Sequence, residues 1–112
     1  MYNIALFGAG RIGQVHAVNI AGHKETCLYS VIDPHQAGAE ALAHKYGAKV
    51  QTAEEAMADP NVQAVMIASA TDTHADLIEQ AARAGKAIFC EKPVHLDLAR
   101  VRDCLATVRE CN

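Results

Sequence analysis

The chain has 112 residues, of which 51% are hydrophobic and 21% are charged, and its formal net charge is −3. This composition predicts one globular domain that buries a core without disulfides or metals. The slightly acidic balance gives no electrostatic reason to expect nucleic acid or an anionic membrane as a partner. No apolar stretch reaches the roughly 18 residues that span a membrane. The strand-like start at Tyr2 is not expected to be a signal peptide.

Short apolar runs alternate with amphipathic stretches along the chain, which predicts a parallel sheet with crossover helices. The predicted strands are 3–7, 28–32, 49–50, 64–68 and 87–90. The predicted helices are 11–21, 35–46, a short one that opens at the Thr52–Glu55 capping box, 73–84 and 97–110. Gly47 and Gly85 are predicted to end the second and fourth helices.

Two of these helices have apolar positions that we expect to face the core. The first helix is expected to bury Ile12, Val15 and Ile20. The last helix is expected to bury its apolar residues Leu98, Val101, Leu105 and Val108.

The first predicted strand leads directly into Gly8-Ala9-Gly10-Arg11-Ile12-Gly13. Three glycines at this spacing, between a strand and a helix, are typical of a turn that holds a dinucleotide pyrophosphate. Gly8 is expected to permit the tight turn, Gly10 to let phosphates approach the backbone, and Gly13 to let the helix pack closely on the strand. The phosphates would accept hydrogen bonds at the positive end of the helix.

Asp33 ends the second predicted strand, about 20 residues after Gly13, where an acidic residue binds the adenosine ribose of a dinucleotide. Such a carboxylate repels a 2′-phosphate, and Pro34 and His35 follow it rather than an arginine. The sequence therefore favours NAD over NADP. The alternative is that Asp33 only starts the turn before a helix whose first residue is Pro34.

The order of the elements predicts an α/β fold, a doubly wound parallel sheet with strand order 3-2-1-4-5. Ligands bind such sheets at the carboxyl ends of the strands. The glycine turn, Asp33, Ser69–Thr71 and Glu91–Pro93 all fall on that edge. We expect one dinucleotide site there.

Lys92 follows the fifth strand, where the nicotinamide end would reach, and could shuttle a proton while a hydride moves. The alternative is a solvated loop lysine. Glu91 could orient Lys92 or lie near the nicotinamide ribose. His74 could contact the ligand or hold its loop by bonding to backbone, and Thr73 is expected to cap the fourth helix.

Three segments carry a resemblance to a known family: 8–13 with 16–17, 68–77 and 89–93. On these residues the chain resembles the N-terminal NAD-binding domain of the glucose–fructose oxidoreductase / inositol dehydrogenase (Gfo/Idh/MocA) family, over essentially its whole length. Residues 90–94 and 96–99 are most similar to bacterial inositol 2-dehydrogenases. One departure is Ala70, where many relatives have proline.

The resemblance implies NAD as cofactor, a polyol such as myo-inositol as substrate, Lys92 as the catalytic residue, and a cis bond at Pro93. It implies that the pyrophosphate is held by Gly8, Gly10, Arg11, Ile12 and Gly13. It implies that the adenosine ribose is held by Asp33, and that the nicotinamide half is lined by Ser69, Ala70, Thr71 and His74 with Glu91 beside them.

Residues 1–112 are expected to be the dinucleotide-binding domain alone, since the family's C-terminal substrate domain and the sixth strand are absent from this chain. Such a fragment would bind NAD but would not turn over substrate by itself. Its uncovered apolar surface and the edge of the fifth strand are expected to favour self-association. Two alternatives are a relative that acts on another sugar or nucleotide sugar, and a non-catalytic NAD-sensing module with no use for Glu91-Lys92-Pro93.

The cysteines and histidines predict no metal site. Cys27, Cys90, Cys104 and Cys111 form no C-x-x-C pair, and the six histidines form no H-x-x-H pair. Free thiols that act as small hydrophobic residues are expected, as in a cytoplasmic protein.

Overall fold

A computed structural model describes residues 1–111. Its strands are β1 (Tyr2–Phe7), β2 (Thr26–Ile32), β3 (Lys49–Val50), β4 (Ala64–Ile67) and β5 (Ala87–Cys90). Its α-helices are α1 (Arg11–Gly22), α2 (Gln36–Tyr46), α3 (Ala53–Ala58), α4 (His74–Arg83) and α5 (Leu98–Cys111). Within these residues the strands form one parallel sheet in the order β3-β2-β1-β4-β5. The predicted architecture is confirmed.

Each face of the sheet carries its own core. Under α1 and α2 the buried residues include Leu6, Leu28 and Leu42. Under α3, α4 and α5 they include Phe7 and Ile67. The alternation of β1 thus supplies both cores, because neighbouring side chains of a strand point to opposite faces. None of the helices in the described part of the chain is long and apolar enough to cross a membrane.

The ends of several helices follow from local chemistry. The Thr52 hydroxyl accepts from the Glu55 N–H, and the Glu55 carboxylate accepts from the Thr52 N–H, so the predicted capping box is present. Gly47 and Gly85 adopt left-handed backbone, with φ of +70° and +74°, where α2 and α4 end. The predicted stops are confirmed.

Two of the residues expected to be buried on α1 are exposed. Ile12 and Val15 are 49% and 54% exposed, whereas Gly13, Ala17 and Ile20 are buried. Helix α1 lies so close to the end of β1 that its smallest residues face the sheet. The larger side chains are displaced to the flanks of the helix, so the prediction for Ile12 and Val15 was wrong.

A similar change of face occurs on α5. Leu98 and Leu105 are exposed, while Cys104 is fully buried and its thiol lies 3.7 Å from the Ala75 carbonyl of α4. Val101 and Val108 are half-buried beside it. Because α4 and α5 approach closely, a small side chain occupies the centre of their contact. The expected burial of Leu98 and Leu105 was wrong.

The four cysteines are free, and their surroundings predict different reactivities. Burial raises the pKa of the Cys90 thiol to about 11 and also raises the pKa of Cys104. Since the thiolate is the reactive form, both should alkylate slowly in the folded protein, whereas exposed Cys111 should react fast. Mass-spectrometric mapping of iodoacetamide adducts at mildly alkaline pH measures this. Equal rates for Cys104 and Cys111 in the folded state, rather than only in denaturant, would contradict the assignment.

Candidate dinucleotide site

The turn between β1 and α1 is built from backbone alone. Gly8 has φ +108°, and a Cβ there would lie 2.5 Å from the Ala68 carbonyl oxygen. A Cβ on Gly13 would lie 1.9 Å from the Gly8 carbonyl oxygen, so no side chain fits between strand and helix. A Cβ on Gly10 would meet nothing within 4 Å. The turn is therefore closed on the protein side and open at Gly10.

The open side faces the first turn of α1. Gly10 is the N-cap and provides no side-chain cap, and the first turn contains no acidic residue. The first N–H groups of a helix have no intrahelical acceptor and carry the positive end of the helix dipole. These residues fit a dianionic diphosphate, because donors, positive potential and free space coincide at Gly10.

Asp33 lies against this turn. One of its carboxylate oxygens accepts from the Ala9 N–H at 2.7 Å, and the other accepts from the His35 N–H at 2.7 Å. The carboxylate therefore links the end of β2 to the glycine turn after β1. Each carboxylate oxygen has a further lone pair with which it accepts hydroxyl donors.

A cleft of about 610 Å³ opens beside Asp33 at the carboxyl ends of β1, β2 and β4. Its walls combine polar groups of Asp33 and Ser69 with an apolar surface. The apolar lining includes Phe7, Ile32, Ala53 and Leu77. A flat, largely apolar group with a polar edge is the kind of ligand that such a cleft accepts.

The loop after β4 is tightly bonded to itself. Residues Thr71–Thr73 form a 3₁₀ turn, and the Thr73 hydroxyl donates to the Ala70 carbonyl at 2.6 Å. The Ser69 and Thr73 hydroxyls are 2.7 Å apart. Thr73 makes no capping bond to α4, contrary to expectation, because its hydroxyl serves the turn before the helix instead.

His74 is buried behind this loop, with 2% of its surface exposed. Its Nδ1 lies 2.8 Å from the Pro93 carbonyl oxygen, and its Nε2 lies 2.9 Å from the Ser69 carbonyl oxygen. The ring thus contacts backbone, as one of the two expectations for His74 has it, and its contact with a ligand stays a prediction. Both ring nitrogens contact protein, so neither faces the cleft.

Glu91 follows β5, and its carboxylate is hydrogen-bonded to Nε2 of His16 on α1. The His16 bond holds the pKa of Glu91 below its ordinary value, although partial desolvation opposes this shift. The His16 ring also meets the Phe89 ring edge-on, with 6.0 Å between centroids. Helix α1 is thereby tied to the residue next to Lys92.

Lys92 is exposed, and its ammonium makes no hydrogen bond or ion pair with the residues that the structure describes. The peptide bond between Lys92 and Pro93 is cis. The glycine turn, Asp33, Ser69–Thr71 and Lys92 all lie at the carboxyl edge of the sheet. Among residues 1–111 there is no cluster of metal-ligating side chains.

The role of His16 was not predicted from the sequence, where this residue is only part of the segment 16–17 that resembles the family. Its partner Glu91 is 75 positions away in the chain. The available signal was local: His16 follows Gly13 by one helical turn and so shares the helix face that points toward the sheet.

Comparison with known proteins gives consistent matches. Residues 2–112 match an oxidoreductase family with an NAD-binding Rossmann fold. An inositol 2-dehydrogenase of Rhizobium meliloti (strain 1021) is 53% identical over 105 residues, covering 94% of this chain and 32% of the relative.

Two solved structures superpose on nearly the whole chain. A myo-inositol dehydrogenase from Corynebacterium glutamicum ATCC 13032 has a TM-score of 0.93 at 41% identity, covering 99% of this chain and 34% of that one. GenD2 from gentamicin A biosynthesis, in complex with NAD, has a TM-score of 0.92 at 32% identity, covering 98% and 32%. The chain spans about a third of the length of these relatives.

The bond between His16 and Glu91 predicts a measurable change in acid behaviour. In His16→Ala the pKa of Glu91 should rise toward its ordinary value of 4.5, which NMR titration of the Glu91 carboxyl carbon measures. A depressed carboxyl pKa stabilises the fold above the unfolded value, and that stability is lost as the pH falls through the folded value. The variant should therefore lose less stability on acidification below about pH 4.5. His44→Ala, which removes an exposed histidine of α2, is the control. If the pKa of Glu91 does not change in His16→Ala, the bond to His16 is not what lowers it.

Proposed function

This chain belongs to the oxidoreductase family with an NAD-binding Rossmann fold, and from that premise we propose that residues 1–112 form the cofactor-binding domain of a dehydrogenase. The intact enzyme would take a hydride from a polyol and transfer it to NAD. The observation that carries this proposal is the bond between Asp33 and the Ala9 N–H, which brings the two halves of the dinucleotide motif together.

The glycine turn would hold the pyrophosphate. The N–H groups of Arg11, Ile12 and Gly13 open α1 and would donate to its oxygens, and the open space at Gly10 lets the phosphates approach. Gly8 and Gly13 serve by letting the backbone pass without a side chain. When bound, NAD supplies the nicotinamide ring that accepts the hydride.

Asp33 would hold the adenosine ribose. Its oxygens already accept from two backbone N–H groups, which fixes the carboxylate and leaves lone pairs for ribose hydroxyls. A 2′-phosphate would bring further negative charge against the same carboxylate. NAD is therefore the cofactor that this residue favours.

The other end of the site would hold the nicotinamide half, between Ser69–Thr71 and Glu91. Lys92 is the residue we propose to touch substrate, because its ammonium is exposed and free of protein partners among the described residues. In its neutral amine form it would accept the proton of the substrate hydroxyl and become the ammonium, as the hydride leaves the carbon that bears this hydroxyl. Glu91, held by His16, would lie beside the nicotinamide ribose.

The substrate we propose is an inositol, since relatives of this chain carry the names inositol 2-dehydrogenase and myo-inositol dehydrogenase. Another sugar is the alternative, to be separated by assay. The four free thiols suit a reducing compartment, and we propose the cytoplasm.

Calorimetry tests cofactor binding on this chain. NAD should bind at one site, and NADP at least about tenfold more weakly because of Asp33. Gly10→Ala should weaken NAD binding at least about tenfold, since a methyl group would fill the space that the phosphates need. Gly22→Ala is the matched control, because its Cβ also meets nothing within 4 Å but lies at the other end of α1. Unchanged affinity in Gly10→Ala would exclude the glycine turn as the phosphate site.

Turnover by the full-length enzyme tests Lys92. With NAD and myo-inositol, Lys92→Ala should lower kcat by a factor of about 100 or more, the usual contribution of a positioned proton-transfer group. NAD affinity should change little. Lys24→Ala, an exposed lysine in the loop between α1 and β2, is the control. Wild-type turnover in Lys92→Ala would remove the catalytic role and leave NAD binding as the function of this domain.

A further inference from the structure

His74 occupies a place between the two loops that would form the nicotinamide end of the site. It is the first residue of α4 and, with Ser30, one of two buried polar residues found among those the structure describes. Its ring reaches back to Ser69 at the end of β4 and across to Pro93 after β5. No other side chain in the described part of the chain bonds both loops.

Both groups that the ring contacts are backbone carbonyls, which only accept hydrogen bonds. A neutral imidazole has a single N–H, so both contacts are hydrogen bonds at the same time only in the doubly protonated ring.

The contact with Pro93 completes the support of Lys92. On its amino-terminal side, Glu91 donates its N–H to the Ile67 carbonyl at 2.9 Å, and its carboxylate is bonded to His16. On its carboxy-terminal side, the Pro93 carbonyl accepts from His74 at 2.8 Å. The backbone on either side of Lys92 is thus held, while the Lys92 side chain itself has no protein partner among residues 1–111.

We propose that His74 is a positioning residue that holds the Lys92 loop and the Ser69 loop at a set separation through their carbonyl oxygens. It would not bind the cofactor through its own nitrogens. This role rests on the proposed function, because the separation of the two loops matters for catalysis only if Lys92 and Ser69–Thr71 face the nicotinamide and substrate. The bonds themselves do not depend on that function.

The wild-type chain offers the first test. Scalar couplings across hydrogen bonds, measured by NMR from the His74 ring nitrogens to backbone carbonyl carbons, should connect Nδ1 with Pro93 and Nε2 with Ser69. Both couplings support the proposal. Absence of the coupling to Pro93, with that to Ser69 present, would overturn it without any variant.

Two substitutions then separate the two bonds. Asn places its amide nitrogen near Nδ1, so His74→Asn should retain the bond to Pro93 and lose that to Ser69; His74→Gln, which reaches the Nε2 position, should do the reverse. His74→Gln should shift the amide signals of Lys92 and Val94, and His74→Asn those of Ser69–Thr71. A ring that only fills space would disturb both loops alike in either variant, which would refute the proposal.

Turnover by the full-length enzyme links this result to function, and dinucleotide binding keeps the two proposals distinguishable. In a double-mutant cycle on kcat of the full-length enzyme, Lys92→Ala should cost about 100-fold in wild type and in His74→Asn, and much less in His74→Gln. If wild type binds no dinucleotide, the proposed function fails while the NMR couplings still decide the bonds of His74. If Lys92→Ala costs the same in all three backgrounds, His74 does not act through Lys92.

Discussion

The site depends on one contact between backbones, where the first turn of α1 meets the end of β1. Gly13 approaches the Gly8 carbonyl so closely that a Cβ would lie 1.9 Å from its oxygen. Gly8 in turn passes the backbone of Ala68, at the end of the neighbouring strand, with φ +108°. Because this contact sets the distance and angle of α1, it also sets where the uncapped N–H groups of the helix point. The same closeness turns Ile12 and Val15 outward.

Ionisable side chains at this edge bind mostly to backbone. Asp33 holds the N–H groups of Ala9 and His35, and His74 lies between the carbonyls of Ser69 and Pro93. Bonds of this kind place a loop without using its side chains. The arrangement leaves the ammonium of Lys92 without a partner among residues 1–111 and leaves lone pairs on Asp33. A polar edge with these properties is suited to a ligand that brings its own phosphates and hydroxyls.

The parts of the fold that the sequence predicts well are those that depend on near neighbours. The capping box at Thr52, the left-handed stop at Gly47 and the turn at Gly8 each follow from the chemistry of a few adjacent residues. Burial was predicted less well. Helical periodicity predicts that the largest apolar residues face the core, but close packing of helices favours small ones, so Cys104 is buried where Leu105 was expected.

The sequence alone determined that a glycine turn and an acidic residue lie at the ends of two neighbouring parallel strands, because turn chemistry and strand–helix alternation are local properties. It could not determine which atoms those residues contact. The pairing of His16 with Glu91 and the placement of His74 between two carbonyls join segments from different crossovers. Tertiary structure decided these contacts, since they depend on how near each helix comes to the sheet and on the loops that this distance brings together.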